Sequence, residues 1–224
     1  EANLAKFLES SAVKERLYHG TTSNVNKFDL GQASKQTGNP NAQLGHFFTG
    51  NPKEASRYAT DFGNKQGANV MPVYLNIKNP KRLTYKEMDD LAMAMFDKNA
   101  PVNDWKNPGF AERQAERYKY AQDLSRQKRQ ELIDAGHDGA IVRIGGNDEY
   151  IAFYPEQIKS ATGNRGTYDI TDPDINKAGG GIIKHMSLRN PKRMAEGGNP
   201  NEGEPKPIRF HPFANRMHMN GAEV

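Results

Sequence analysis

Three short segments, far apart in the chain, carry polar and aromatic residues where a strand would ordinarily present core residues. A fold that joins them must set strands and helices side by side. The segments are Leu17-Tyr18-His19-Gly20-Thr21, then Gly45-His46-Phe47-Phe48-Thr49 running on to Ala55-Ser56-Arg57-Tyr58, then Asp148-Glu149-Tyr150-Ile151-Ala152-Phe153. The first and third read as strands, and the second as a strand running into a helix. Brought together, they would line one pocket with His19, Phe47, Tyr58 and Glu149.

The chain around them follows the same alternation. Leu4, Phe7 and Leu8 share one face of a short helix within residues 1–14, and residues 15–20 form a strand. Thr21 to Asn41 is a polar loop pinned by Val25 and Phe28. Leu44 to Thr49 is a buried strand. Asn51 caps a helix with Pro52 at its first position and Glu54 at its third, running to about Phe62. Val70 to Ile77 alternates like a strand and ends at Asn79-Pro80. Met88, Leu91, Ala92 and Met95 define a helix, and Lys98 to Pro108 is a loop holding Trp105. Residues 110–135 form the longest helix, stopped by Gly136. Ala140 to Ile144 and Glu149 to Tyr154 pair as a hairpin across Gly145-Gly146. Short strands, intervening helices and a closing hairpin predict an α+β fold, with two small antiparallel sheets packed together.

Composition bounds what surrounds this core. At 35% hydrophobic residues and a mean hydropathy of −0.89, the 224 residues support a modest core with long polar segments. No apolar run approaches the roughly 18 residues of a membrane span, and no stretch has a signal-peptide layout. The chain contains no cysteine, which excludes disulfides and cysteine-ligated zinc. Beginning at Glu1, it reads as excised from something longer. From Ile175 onward there are 8 Lys/Arg and 4 Asp/Glu, which leaves 31 − 8 = 23 basic and 27 − 4 = 23 acidic residues before it. The body is neutral and the tail carries the excess, so no nucleic-acid groove is advertised. The reading is one body over 1–174 and an irregular, basic, Gly/Pro-rich tail over 175–224.

Tyr18-His19-Gly20-Thr21, the aromatics Phe47 and Tyr58 eleven residues apart, and Asp148-Glu149-Tyr150-Ile151-Ala152-Phe153 resemble, in that order, the NAD pocket of ADP-ribosyltransferases of the diphtheria-toxin and poly-ADP-ribose-polymerase branch. At subfamily level, Leu17 to Thr21, Asn51-Pro52-Lys53-Glu54-Ala55, Val70 to Asn76 and Gln157 to Asn164 resemble the ADP-ribosyltransferase-like domains of phage polyvalent proteins. The resemblance implies a split β-sheet core with flanking helices and NAD in the cleft. It implies that His19 bonds the adenosine-side ribose, that Gly20 and Thr21 hold the nicotinamide carboxamide, and that Phe47 and Tyr58 sandwich the ring. It implies that Glu149 contacts the ribose 2′-hydroxyl and stabilises the oxocarbenium. The implied activity is mono-ADP-ribosyl transfer from NAD to a macromolecule by a phage-encoded or toxin-like effector in a bacterial cytoplasm, with no metal.

Two departures from the family pattern matter, the second of them for the acceptor. Phe47 stands where the family commonly has Tyr, which keeps stacking and loses a hydroxyl. Asn147 stands where arginine-specific relatives carry the first glutamate of a Glu-x-Glu pair, and His19 replaces their leading Arg. Both argue against an arginine acceptor and leave acceptor activation unassigned. Protein and nucleic-acid acceptors stay open, as does the oligomeric state.

Each residue also has an ordinary reading. Phe47 and Tyr58 could be core, His19 a strand-end residue and Glu149 a solvated one. His46 reads as structural or rim and His137 as a turn residue. His185, His211 and His218 lack the spacing and companions of a zinc site. The competing functions are an NAD glycohydrolase, a catalytically inactive NAD-binding or structural module of a phage polyprotein, and a nucleic-acid binder using the basic tail.

Overall fold

The computed structural model describes residues 2–33, 38–61, 67–96, 106–164 and 166–176. The expectations for Phe62, Trp105 and most of the tail lie outside those residues. Along the chain run α1 (Ala2–Leu8), β1 (Leu17–Thr21), a 3₁₀ turn (Pro40–Leu44), β2 (His46–Thr49), α2 (Pro52–Asp61) and β3 (Asn69–Leu75). There follow β4 (Pro80–Leu83), α3 (Tyr85–Met93), α4 (Phe110–Asp134), β5 (Gly139–Ile144), β6 (Asn147–Ala152), a second 3₁₀ turn (Pro155–Gln157) and β7 (Ile158–Ser160). The α+β class holds.

The strands form one seven-stranded sheet in the order β4-β5-β6-β2-β1-β3-β7. All neighbours are antiparallel except β4 and β5. This differs from the expectation of two separate antiparallel sheets, though the two halves are barely joined. β1 meets β2 at the single pair Tyr18↔Thr49, whereas β1 pairs with β3 over five residues and β2 with β6 over four. Past that pair the ladder opens.

Two strands escaped the sequence reading. Asn79-Pro80 looked like a terminator, but Pro80 starts β4, an edge strand, where a proline at the first position costs no ladder bond. Asp138 builds its entry by accepting from the Lys78 and Asn79 amides, at 2.8 Å each. β7 is only three residues long, all buried, so it shows no alternation.

Helix boundaries follow local chemistry. Asn51 Oδ1 accepts from the Lys53 amide at 3.0 Å at the start of α2, while Glu54 is taken by Arg57 instead of closing a capping box. Thr84 and Glu87 form a full capping box on α3. α4 ends in a Schellman turn: Gly136 adopts φ 85°, its amide bonds the Ile133 carbonyl, and His137 bonds that of Leu132.

The core lies in two layers, one on each face of the sheet. Leu17, Phe48, Val73, Leu75, Ile141, Ala152 and Ile158 are covered by Val13, Phe28 and Ile175. Ala140, Val142 and Ile151 pack with Leu44, Leu83, Met88, Leu132 and Phe153, and Phe47 joins this layer. Each fully buried Val, Leu, Ile, Met or Phe among them contributes about 1.5–3 kcal/mol. Ile175 is fully buried, its amide bonded to the Asn26 carbonyl and its own carbonyl to the Ser160 amide.

Candidate active site

Register decides which of the expected site residues can meet. Residues paired across an antiparallel ladder share a face, and faces alternate along each strand. Tyr18↔Thr49, Thr49↔Glu149 and Phe47↔Ile151 therefore put Gly20, Phe47 and Glu149 on one face. His19, Thr21, His46 and Phe48 belong to the other.

Helix α2 lies over the first face. A Cβ on Gly20 would fall 1.8 Å from the Ala55 carbonyl oxygen, so helix and strand touch backbone to backbone there. This contact brings Tyr58 above β6, where its hydroxyl donates to Glu149 Oε1 at 3.3 Å across 91 residues of sequence. Burial pushes the Glu149 carboxyl up to about 7, the Tyr58 hydrogen bond pulls it down, and the Glu54 charge adds to the rise. Burial and the Glu149 charge push the Tyr58 phenol up in turn. Phe47 is half-buried at the inner edge of this face.

His19 occupies the opening between β1 and β2. Its Nδ1 donates to the Phe47 carbonyl at 2.9 Å, where continued pairing of the strands would have placed a backbone amide. That bond fixes the tautomer and leaves Nε2 as an acceptor. The ring stands edge-on to Phe28 at 5.0 Å and lies 5.5 Å from Phe48. Burial pushes the imidazole below its ordinary range, the Phe47 bond opposing, so it is neutral at pH 7. Thr21 is buried, and its hydroxyl accepts from the Ser23 amide at 3.1 Å.

The structure thus brings Glu149 and Tyr58 into direct contact, with Gly20 and Phe47 on their face. It sets His19 between β1 and β2, bonded to the Phe47 carbonyl but packed toward the opposite layer. Behind it, His46 is buried against Phe28 at 5.2 Å, with Nε2 unpartnered and the imidazole pushed down to about 3 by burial and by His19 and Arg129. Sequence reasoning overlooked Thr49, buried between Tyr18 and Glu149 on the same row, and Glu54. Glu54 had a legible signal, since it precedes Tyr58 by one helical turn. Among the described residues no group of His, Asp and Glu could hold a metal ion, and no helix is long and apolar enough to cross a membrane.

The family model for ADP-ribosyltransferases in polyvalent proteins matches residues 14–168, and the chain belongs to that family. Membership implies NAD as the substrate. No curated protein matches. Among solved structures, the chain is similar to an anti-CRISPR protein at 12% identity, over 64% of this chain and 91% of that one, with a TM-score of 0.29. So loose a superposition places no residue.

Proposed function

We propose that this protein is a mono-ADP-ribosyltransferase that breaks the nicotinamide–ribose bond of NAD and transfers ADP-ribose to a macromolecular acceptor, as a phage-encoded or toxin-like effector. The observation that carries the reading is the Tyr58–Glu149 hydrogen bond on the face shared with Gly20 and Phe47. Bond cleavage passes through an oxocarbenium-like state, and a carboxylate aimed at that charge before reaction lowers its energy. Glu149, half-buried under Tyr58, is the carboxyl available for this, and the Tyr58 donor favours its ionised form. Phe47 and the Tyr58 ring would bracket the nicotinamide. The edge of Gly20 that faces β2, beyond the Tyr18↔Thr49 pair, would pair with the carboxamide. His19, neutral and with Nε2 as acceptor, would take a hydrogen bond from a ribose hydroxyl.

A second reading, an inactive module, draws on His19, whose ring packs against Phe28 and Phe48 on the layer away from Glu149. Incubation with adenylate-labelled NAD and a bacterial lysate separates the two. Label on macromolecules with wild type, absent with Glu149→Gln, establishes the transferase. Free nicotinamide without transfer points to a glycohydrolase. No NAD consumption by either protein favours the module.

A further inference from the structure

A transferase needs more than the group that stabilises the oxocarbenium. The acceptor must lose a proton as it attacks, and a positioned base assists that loss. Glu149 is poorly suited to both tasks, since accepting the proton would cancel the charge it supplies. Asn147, two residues earlier, is an exposed amide beside the β5–β6 turn and cannot act as a base.

A second carboxylate stands one turn away. Glu54 and Tyr58 are four residues apart in α2, so their side chains share one face of the helix. The helix is fixed over the sheet at two points, by Tyr58 on Glu149 and by Ala55, the residue after Glu54, against Gly20. The Glu54 charge reaches both partners below it, contributing to the upward shifts of Glu149 and Tyr58. Its own side chain is 37% exposed, so solvent and an incoming acceptor reach it, while Glu149 is half-buried under Tyr58. Arg57 Nη1 donates to its two oxygens at 3.2 and 3.0 Å and orients the carboxylate. A carboxylate offers about four lone-pair sites, so acceptance from Arg57 leaves capacity for another donor.

We propose that Glu54 receives the proton of the acceptor, and that the acceptor is a proton-bearing nucleophile, a hydroxyl or an amine, not a carboxylate. This rests on the reading of the site as an NAD-cleaving transferase. The bond between ribose C1′ and the nicotinamide nitrogen breaks, and its electron pair leaves with nicotinamide. A lone pair on the acceptor oxygen or nitrogen forms the new bond to C1′, and the proton it carried passes to Glu54. An acceptor carboxylate would instead approach two like charges, Glu54 and Glu149.

The test compares wild type, Glu54→Gln, Glu54→Asp and Glu149→Gln with adenylate-labelled NAD and a bacterial lysate, measuring nicotinamide release and macromolecular label in the same samples. Water reaches the oxocarbenium-like centre without a base, so Glu54→Gln is expected to cut labelling about tenfold or more while nicotinamide release changes about twofold or less. Glu54→Asp keeps part of the labelling, and the label resists neutral hydroxylamine, which cleaves ADP-ribosyl esters of carboxylates. Labelling unchanged in Glu54→Gln, loss of release and labelling in equal measure, or hydroxylamine-labile label overturns the assignment. Nicotinamide release by wild type with no macromolecular label also overturns it, leaving NAD cleavage by the site intact. Absence of NAD consumption by wild type overturns the underlying reading and this one together.

Discussion

The two faces of the sheet at the β1–β2 opening treat their titratable groups in opposite ways. Under α2, burial raises the Glu149 carboxyl to about 7 while Tyr58 supplies a donor to it. On the other face, burial lowers His19 and takes His46 to about 3 among Phe28 and Phe48. Desolvation drives both changes by disfavouring the charged form. The outcome differs because only the carboxyl is left able to change charge near neutral pH. A group poised in that way is suited to chemistry, whereas the neutral imidazoles are suited to packing and to fixed hydrogen bonds.

The sharpest way to break this contrast is to remove the poised group. Glu149→Gln keeps shape and hydrogen-bonding capacity but removes the charge available to the transition state. Nicotinamide release is expected to fall on the order of 10²–10³-fold, with the NAD dissociation constant changed far less, because the carboxylate acts mainly in the transition state. Steady-state rates beside calorimetric NAD titration check this. Equal losses in binding and rate would place Glu149 among ordinary binding groups.

The next effect is on the fold. Gly20→Ala puts a methyl 1.8 Å from the Ala55 carbonyl, a backbone atom that cannot swing aside. Overpacking of this kind costs about 1–3 kcal/mol, occasionally more. Urea denaturation is expected to show a loss at the upper end, with α2 displaced and the Tyr58–Glu149 contact broken. A neutral substitution would mean that the helix does not rest on β1 as described.

How far this contrast was legible from sequence depends on the range of the interactions involved. Helix stops such as Gly136, the Gly145-Gly146 hairpin and the pocket segments could be read because their determinants are local. The adjacency of Tyr58 to Glu149 was expected only through the resemblance, since no periodicity links residues 91 apart. The single joint at Tyr18↔Thr49, the parallel edge strand β4 and the buried triplet of β7 depend on long-range pairing that leaves little local pattern. The facing of His19 was hidden for another reason. Strand alternation separates it from Gly20, but the interruption of the ladder that its ring fills is a property of two strands together.

The two faces also predict opposing stability slopes. His46 is neutral in the fold down to about 3, while its unfolded counterpart protonates near the ordinary 6.5, so the unfolded chain binds more protons between those values. Stability from this group is complete above about pH 6.5 and is lost as pH falls toward 3. Glu149 acts in reverse: the fold holds its proton up to about 7 and the unfolded chain releases it near 4.5, so stability falls as pH rises through that window. Between about pH 4.5 and 6.5 the two slopes cancel, each having a limit of about 1.4 kcal/mol per pH unit. Glu149→Gln should therefore make stability rise more steeply with pH there, and His46→Gln should make it fall. Urea midpoints at pH 4.5, 5.5 and 6.5 measure both, and parallel profiles for the two variants would erase the contrast between the faces.

The smallest expected effect isolates one hydrogen bond. Tyr58→Phe keeps the ring and removes the donor to Glu149 Oε1, which holds the carboxyl lower than burial alone would. Without it Glu149 ionises at higher pH, and the acid limb of nicotinamide release should move upward. A bond contributing about 1 kcal/mol corresponds to a displacement of somewhat under one pH unit. Because the ring still brackets the nicotinamide, KM at pH 8.5 should change little, while Tyr58→Ala should raise it. The direction of the shift discriminates between roles: a phenol that only packs would leave the limb in place, and one that withheld charge from Glu149 would move it downward when removed. Only an upward displacement with KM preserved fits a donor that helps keep a half-buried carboxylate ionised for catalysis.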